Sequence, residues 1–324
     1  MLQVLISCLL KDKREKFPLN NCYNLYMKLS PLQALWLSLA ITVFYPIVGK
    51  LKTGHISPTV LMLFATGIPV LWYIPYLTKH KMWHTLFDKK LMPRLAGLGF
   101  FSSAFPFLCM MIALNYTTPA NSSILNQTEV LYSLVLTYIF LGEKPTGKQI
   151  IGTIFILTGV VFILMEANKF NFQMKGDLLV ICTTWMFQVG HIFAKKLPPH
   201  LTEHFITAAR AFYAFMFSLP LTYLLTFFNI QPTMTICWQT IVSILFMGIG
   251  FYVYGNYLWY IAIRRMDLSK ATTLILTYPV FTYMLSAIFG YDKITILKTL
   301  GIIFALGGAY MVNNVIRKNK REIK

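Results

Sequence analysis

Long apolar runs recur along the chain from Leu32 to Val315. A helix of about 20 apolar residues crosses the ~30 Å hydrocarbon core of a bilayer. Apolar residues make up 56% of the 324 positions and charged residues only 12%, whereas soluble domains carry about 25% charged residues. The chain lacks the polar surface needed to cover itself in water. We therefore expect an all-α integral membrane protein.

The apolar runs predict ten transmembrane helices. They are expected at residues 32–49, 57–78, 95–114, 118–141, 148–165, 177–195, 201–228, 237–263, 268–290 and 295–315. Lysine and arginine are concentrated at the termini and in the even-numbered loops. Because cytoplasmic loops carry an excess of these residues, the pattern predicts a multi-pass protein of the cell inner membrane with both termini in the cytoplasm.

The formal net charge of +18 does not indicate a nucleic-acid partner. The basic residues lie in short loops and at the termini, and no soluble domain is expected that could present a basic face to phosphates. The five cysteines show no C-x-x-C spacing, so neither a disulfide framework nor a zinc site is predicted. We expect no metal, no cofactor and no nucleic acid, and the bilayer itself as a partner.

The two halves of the chain resemble each other. When residues 99–159 are shifted by 149 positions they meet residues 248–308, and Gly99 then falls on Gly248. Further matches join Gly152 to Gly301, Gly159 to Gly308, Lys144 to Lys293, and Glu143 to the like-charged Asp292. Each unit holds five helices, an odd number, so the second unit is expected to be inverted relative to the first. Inverted repeats around a central cavity are typical of secondary transporters.

The repeat predicts how the chain is divided. We expect a cytoplasmic N-terminal segment at residues 1–30, a first five-helix repeat at 31–165, a periplasmic linker at 166–176, a second five-helix repeat at 177–316 and a basic cytoplasmic tail at 317–324. Glycine-based faces around Gly152 and Gly301 favour close helix contact, either within one molecule or across a dimer. The expected state is therefore a monomer or a homodimer.

Several segments also resemble a known family. Residues 113–120 (ALNYTTPA), 140–144 (FLGEK) and 149–152 (QIIG), with a second copy that runs from Ala262 through 278–280 (YPV) to Gly308, are similar to EamA-type members of the drug/metabolite transporter superfamily. One position departs from the family pattern, because the second copy has Pro279 where the first has Val130. The resemblance implies a ten-helix fold with a central cavity and the export or exchange of small metabolites.

Glu129 is the strongest candidate for a mechanistic residue. It lies near the middle of the fourth predicted helix, where an acidic residue costs about 2.5–3.5 kcal/mol, and Asn126 lies one turn away on the same face. We interpret Glu129 as a carboxylate that couples transport to protons or binds a substrate amine. The alternative is a structural polar patch that holds helices together.

Other polar and aromatic side chains in the spans are candidates for binding a substrate. Arg210 could hold a carboxylate or phosphate, pair with Glu129, or extend toward the surface. The remaining candidates lie at helical spacing in three spans, namely Trp185, Gln188 and His191, then Tyr252, Asn256 and Trp259, and Tyr278 beside a proline. Aromatic faces with one amide each suit a partly apolar solute, although such patterns also occur in ordinary cores.

Three functions remain in competition at this point. The first is a secondary transporter of a small organic metabolite such as an amino acid, working by alternating access. The second is an exchanger of phosphorylated metabolites or nucleotides, which would require more buried cations than Arg210. The third is an integral-membrane enzyme, since His200, Glu203 and His204 fit an H-x-x-E-H pattern. That stretch follows Pro198-Pro199 in a short loop, so we do not expect an enzyme.

Overall fold

The computed structural model describes residues 29–141, 146–166, 172–227, 231–265, 275 and 277–322, and these residues are helical with short connections. Helices are numbered in chain order within this part. They are α1 (Pro31–Leu51), α2 (Pro58–Lys79), α3 (Trp83–Leu86), α4 (Met92–Tyr116), α5 (Pro119–Leu125), α6 (Glu129–Leu141), α7 (Gly147–Glu166), α8 (Phe172–Lys195), α9 (Glu203–Phe227), α10 (Trp238–Arg265), α11 (Tyr278–Ile288) and α12 (Ile296–Glu322). The one bridge between extended residues in this part joins Ile56 and Met234.

Several helices begin with a polar cap followed by proline. Ser30 accepts from the Gln33 backbone and Gln33 returns a bond to the Ser30 backbone, which is a capping box before Pro31. Ser57 and Thr118 cap α2 and α5 in the same position relative to Pro58 and Pro119. Proline suits the first helical residue because its missing N–H would have no partner there. The sequence therefore fixes these starts locally.

Six of the described helices are long and apolar enough to cross a membrane. They are α1, α2, α4, α8, α9 and α10, and shorter apolar segments lie in α7, α11 and α12. The protein is thus a multi-pass helical membrane protein, while the number of ten spans stays a prediction. Residues 268–274 and 276 of the predicted ninth span lie outside the described part.

One predicted boundary differs from the structure. Helix α8 begins at Phe172, so its first turns occupy part of the predicted linker at residues 166–176. Asp177, the first residue of the predicted sixth span, is fully buried within the helix. Its carboxylate accepts hydrogen bonds from Thr117 and Asn121 inside the bundle.

Two helices contain π-helical segments at corresponding positions. Phe100–Ala104 is π-helical within α4, and Phe246–Gly255 is π-helical within α10. The shift of 149 places residues 100–104 inside the second segment. A π turn interrupts the α-helical bonding pattern and is frequent at functional sites. The internal similarity therefore extends from the sequence to a shared irregularity of the backbone.

Glycine contacts between helices repeat in the same way. A Cβ on Gly99 of α4 would lie 2.6 Å from the Tyr213 Cβ of α9, and one on Gly248 of α10 would lie 3.0 Å from the Ile68 Cδ1 of α2. Residues 68 and 213 lie 145 positions apart, which is about the shift at which the first two predicted helices of each unit align. The contact of α4 in the first unit with α9 in the second is thus mirrored by the contact of α10 with α2.

The glycine faces of α7 and α12 meet within one molecule. A Cβ on Gly159 would lie 2.5 Å from the Gly301 carbonyl oxygen, and one on Gly308 would lie 2.3 Å from the Gly152 carbonyl oxygen. Each helix therefore offers its backbone to the other at two crossing points. The small-residue faces therefore join α7 and α12 of one molecule, whereas the sequence alone left a contact between two molecules equally open.

Candidate functional site

A cavity of about 150 Å³ lies between the helices and collects eight of the ten predicted site residues. They are Asn126, Glu129, His191, Arg210, Tyr252, Asn256, Trp259 and Tyr278. These residues come from the 3₁₀ turn Asn126–Thr128 and from α6, α8, α9, α10 and α11, while α1 and α4 complete the wall. The bundle thus brings together side chains that are far apart in the sequence.

Glu129 begins α6 directly after the 3₁₀ turn that interrupts the fourth predicted helix. Gln188 Nε2 donates to Glu129 Oε1 over 2.5 Å, and His191 Nε2 lies 3.5 Å from the same oxygen. The His191 ring also faces the ring of Trp259, with centroids 5.6 Å apart. Glu129 and His191 keep exposed fractions of 14% and 18%, so both side chains remain partly accessible from the cavity.

Arg210 of α9 lines the cavity but is only 6% exposed. Its Nε donates to Ser103 Oγ over 2.6 Å and its Nη1 donates to Asn256 Oδ1 over 2.9 Å, while Nη2 donates to the Ser102 carbonyl. Tyr260 OH is a fourth acceptor at 3.4 Å. All four partners are neutral, and no ion pair with Glu129 forms among the described residues. The guanidinium is held rigidly with its charge uncompensated, and it does not extend to the surface.

Neutral partners fix the remaining cavity side chains. Tyr252 OH donates to the Ser103 carbonyl over 3.3 Å, and Asn256 Nδ2 donates to the Tyr252 carbonyl over 3.3 Å. Tyr278 OH donates to the Ser123 carbonyl over 3.4 Å at the start of α11. These bonds hold two aromatic side chains and one amide in the wall of the cavity.

Among the buried polar atoms of the cavity wall that have no hydrogen-bond partner in the described structure, two are donors. They are Ser102 Oγ and Trp259 Nε1, on side chains that are 2% and 8% exposed. A buried donor without a partner costs about 1–3 kcal/mol. The two groups therefore favour a ligand or water that would complete their bonding inside the cavity.

Trp185 and Gln188 lie outside the cavity wall. Gln188 is 5% exposed and acts behind Glu129, to which it donates. Trp185 is 37% exposed, and its ring lies 6.1 Å from that of Phe101. Trp185, Gln188 and His191 follow one another in steps of three residues, and each step corresponds to about 300° of helical rotation. Two such steps turn the side chain of Trp185 away from that of His191. A role for Trp185 in binding stays a prediction without a contact to the cavity.

Several residues that line the cavity could not be singled out from the sequence. Ser38, Tyr45, Phe107, Phe187 and Phe251 all contribute to its wall. Their residue types are common in apolar helices, and no local pattern distinguishes them from core residues. The π segments within two of the wall helices indicate the position of the cavity only once the backbone is known.

The H-x-x-E-H stretch is used for packing. The ring of His204 stacks on that of Tyr257 with centroids 4.1 Å apart, and it lies 5.2 Å from the ring of Tyr76. Glu203 Oε1 lies 3.6 Å from Arg265 Nε. Among the residues that the structure describes, no three His, Cys, Asp or Glu side chains are grouped as a metal site would require. The stretch thus closes the end of the bundle where α9 begins.

Comparisons with known proteins give a consistent result. The model of the EamA-like transporter family matches residues 30–165 and again residues 174–314. A probable amino-acid metabolite efflux pump of Escherichia coli (strain K12) is 24% identical over 67% of this chain and 75% of its own length. An uncharacterised transporter of Clostridium kluyveri is 23% identical over 88% of this chain and 94% of its own length.

The fold is also found among solved structures. One crystal structure aligns with a TM-score of 0.64 and 16% sequence identity, covering 88% of this chain and 99% of the other. At this identity the likeness concerns the fold alone. It extends over nearly the whole molecule, including both segments that the family model matches.

Proposed function

Because this chain belongs to the EamA-like transporter family, we propose that it carries a small zwitterionic metabolite across the membrane by alternating access. Amino acids are the first candidates. The family and the helical membrane fold support a transporter of small molecules, and the proposal adds the charge class of the solute. The E. coli relative is named as an efflux pump, which favours export or exchange as the direction.

The single observation that carries the proposal is that two side chains of opposite charge line the same cavity. Glu129 and Arg210 both line it, yet each bonds to neutral or histidine partners instead of to the other. Two buried charges left apart are costly unless something compensates them. A zwitterion supplies an ammonium group for Glu129 and a carboxylate for Arg210, whose planar fork matches a carboxylate.

The size and lining of the cavity favour a compact, partly apolar solute. Its volume of about 150 Å³ is below the ~300–1,000 Å³ that is usual for drug-sized ligands. Aromatic rings of Tyr45, Phe107, Tyr252 and Trp259 form much of the wall. Such rings bind apolar surface without adding charge. An exchanger of phosphorylated metabolites fits less well. Among the described wall residues, Arg210 is accompanied by the carboxylate of Glu129 and by no further lysine or arginine.

Proton coupling is proposed at Glu129 with the help of His191. The carboxylate and the imidazole lie 3.5 Å apart, and an imidazole is a common partner in proton transfer. A proton on Glu129 removes the group that would hold the substrate ammonium. Substrate and proton then compete for one carboxylate, which is the simplest way to couple their movement.

The test is counterflow in liposomes that contain the purified protein. Vesicles preloaded with an unlabelled amino acid receive the labelled zwitterion, its decarboxylated amine or its deaminated acid. We expect exchange of zwitterions at least about tenfold faster than of either partner compound, because each lost charge pair removes about 1.4 kcal/mol or more. Equal exchange of the deaminated acid, or no exchange of any compound by well-dispersed protein, would refute the proposal.

A further inference from the structure

Charged residues are buried at one end of the bundle, apart from the cavity. The charged cluster consists of Lys50, Asp177, Asp292 and Lys298. Asp177 is fully buried, and Asp292 and Lys298 are 9% and 6% exposed. Buried charges of this kind need specific partners. Here the partners come from both segments that the family model matches.

The first contact joins α8 to the start of α5. Thr117 Oγ1 donates to Asp177 Oδ1, and Asn121 Nδ2 donates to Asp177 Oδ2 over 3.3 Å. Thr117 and Asn121 belong to the first matched segment, and Asp177 belongs to the second. One carboxylate from the second half thus holds two side chains of the first.

The second contact holds the same turn of α5 from the other side. The backbone N–H of Ala120 donates to Asp292 Oδ2 over 3.3 Å, and Ser286 Oγ donates to the same oxygen. Lys298 Nζ completes the site by donating to Asp292 Oδ1 over 2.6 Å. A carboxylate at the first turn of a helix interacts favourably with its free N–H groups. Asp292 therefore attaches the second half to the backbone of the first.

Lys50 stabilises the adjacent chain segment. Its Nζ donates to the carbonyl oxygens of Leu114 and Thr117, each over 2.8 Å, where α4 ends and α5 is about to begin. An ammonium group at a helix C-terminus satisfies carbonyls that have no partner within the helix. The connection between α4 and α5 is thus fixed by one cation and two carboxylates.

Three helices reach both the cavity and the charged cluster or a direct partner of it, namely α1, α8 and α11. In α1, Lys50 follows the cavity residue Pro46 by about 6 Å of helix. In α8, Asp177 precedes the cavity residue Phe187 by about 15 Å of helix. In α11, Ser286 follows the cavity residue Tyr278 by about 12 Å. The turn that the two carboxylates hold leads directly into Asn126 and Glu129. The cluster therefore lies toward one end of the bundle, beyond the cavity.

We propose that the charged cluster is the gate at this end, in which Asp177 and Asp292 hold the first turn of α5 shut and release it when the cavity opens. The proposal rests on the transport function proposed above. A polar gate suits repeated opening, because its separated groups regain hydration, whereas opening an apolar seal would expose apolar surface to water at a cost. Buried ion pairs are also a weak source of net stability, which argues against a purely supporting role.

Accessibility of a cysteine beneath the gate tests the proposal without substrate. Ser123 is 1% exposed and lies between the cluster and the cavity. In full-length protein whose five cysteines are replaced by serine, Ser123→Cys provides the reporter for a charged, membrane-impermeant maleimide. We expect Asp177→Asn with Asp292→Asn to raise the labelling rate about tenfold, the population change that corresponds to 1.4 kcal/mol.

The control is Glu203→Gln, which removes a carboxylate from the Arg265 pair outside the cluster and should leave labelling unchanged. If the double variant does not fold, Thr117→Val removes one donor to Asp177 and should raise the rate in the same direction. Labelling at the parental rate in well-folded gate variants would overturn the proposal. Because no solute is used, this failure is distinct from an absence of counterflow.

A reversible cross-link tests the gate from the opposite direction. Asn121→Cys with Asp177→Cys replaces a direct side-chain contact across the gate. Oxidation should stop counterflow and a reductant should restore it, while Asn121→Cys alone should be unaffected by either. Counterflow at an unchanged rate in fully cross-linked protein would show that this end does not open.

Discussion

At the scale of single residues, the cavity separates two charges that could have neutralised each other. Arg210 is fixed by four neutral acceptors, and Glu129 is bonded to Gln188 and faces His191. Both residues could be singled out from the sequence, because a charge in an apolar run is costly and therefore informative. Their neighbours could not, since Ser102 and Phe187 resemble any residue of a helical core.

Glu129 gives the first prediction. In liposomes with an imposed pH gradient, Glu129→Gln should abolish the response of transport to the gradient, because glutamine keeps the shape but cannot exchange a proton. The measurement is the initial rate of labelled solute uptake with and without the gradient. The control is Asp88→Asn, an exposed carboxylate after α3. A parental response to the gradient in Glu129→Gln would discard the coupling role.

Lys52 gives a prediction about stability and pH. It follows α1, is fully buried and donates to Asn115 Oδ1 over 2.7 Å. Burial, with a smaller effect of the Lys50 charge, lowers the pKa of the Lys52 ammonium to about 7, against about 10.4 in an unfolded chain. Between these values the unfolded state binds more protons, so the free energy of unfolding should rise as pH increases from 7 to 10.

Thermal unfolding in detergent measures this effect. The apparent melting temperature of the parent protein should rise with pH across that window and level off below pH 7, where both states carry the proton. Lys52→Met should remove this contribution, and Lys89→Met, at an exposed position, should retain it. An identical pH dependence in Lys52→Met and in the parent would contradict the assignment.

At the scale of elements, the irregular segments position the site. A 3₁₀ turn ends at Thr128 and places Glu129 at the start of α6, while π segments accompany the cavity walls of α4 and α10. Sequence periodicity predicts long helices here, since a local change from α to π or 3₁₀ bonding leaves the hydrophobic pattern almost intact. Caps and prolines are different, because their signals are local, and they predict the starts of α1, α2 and α5.

The contact between α7 and α12 gives a prediction at this scale. A Cβ on Gly308 would lie 2.3 Å from the Gly152 carbonyl oxygen, and backbone atoms of a packed helix pair cannot yield cheaply. Gly308→Ala should therefore destabilise the protein by about 1–3 kcal/mol. The adjacent Gly307 faces open space, so Gly307→Ala is the matched control. Equal melting temperatures for the two variants would show that the helices can separate without cost.

At the scale of the whole molecule, the membrane class and the family follow from the sequence. Apolar runs, the internal similarity and the family-like segments are global features that no single contact decides. The arrangement of the cavity could not be predicted in the same way. It depends on which faces of seven helices meet. Helices that are apolar on all sides give little indication of which face points inward.

The predicted ten spans require both termini on one side of the membrane. Epitope tags at the two ends should both be digested by protease in inside-out vesicles and both be protected in intact spheroplasts. The positive charge of the even-numbered loops gives the cytoplasm as the expected side. Digestion of only one tag in either preparation would show an odd number of spans.

The matching π segments carry information about ancestry. A π turn records one extra residue within a helix, and here both halves hold such a turn at corresponding positions without a gap in their alignment. If the halves descend from one ancestral gene, that insertion was already present before the duplication. The ancestor would then have been a five-helix protein with the π turn in its third helix, and two copies of it would have assembled before they were fused into one chain.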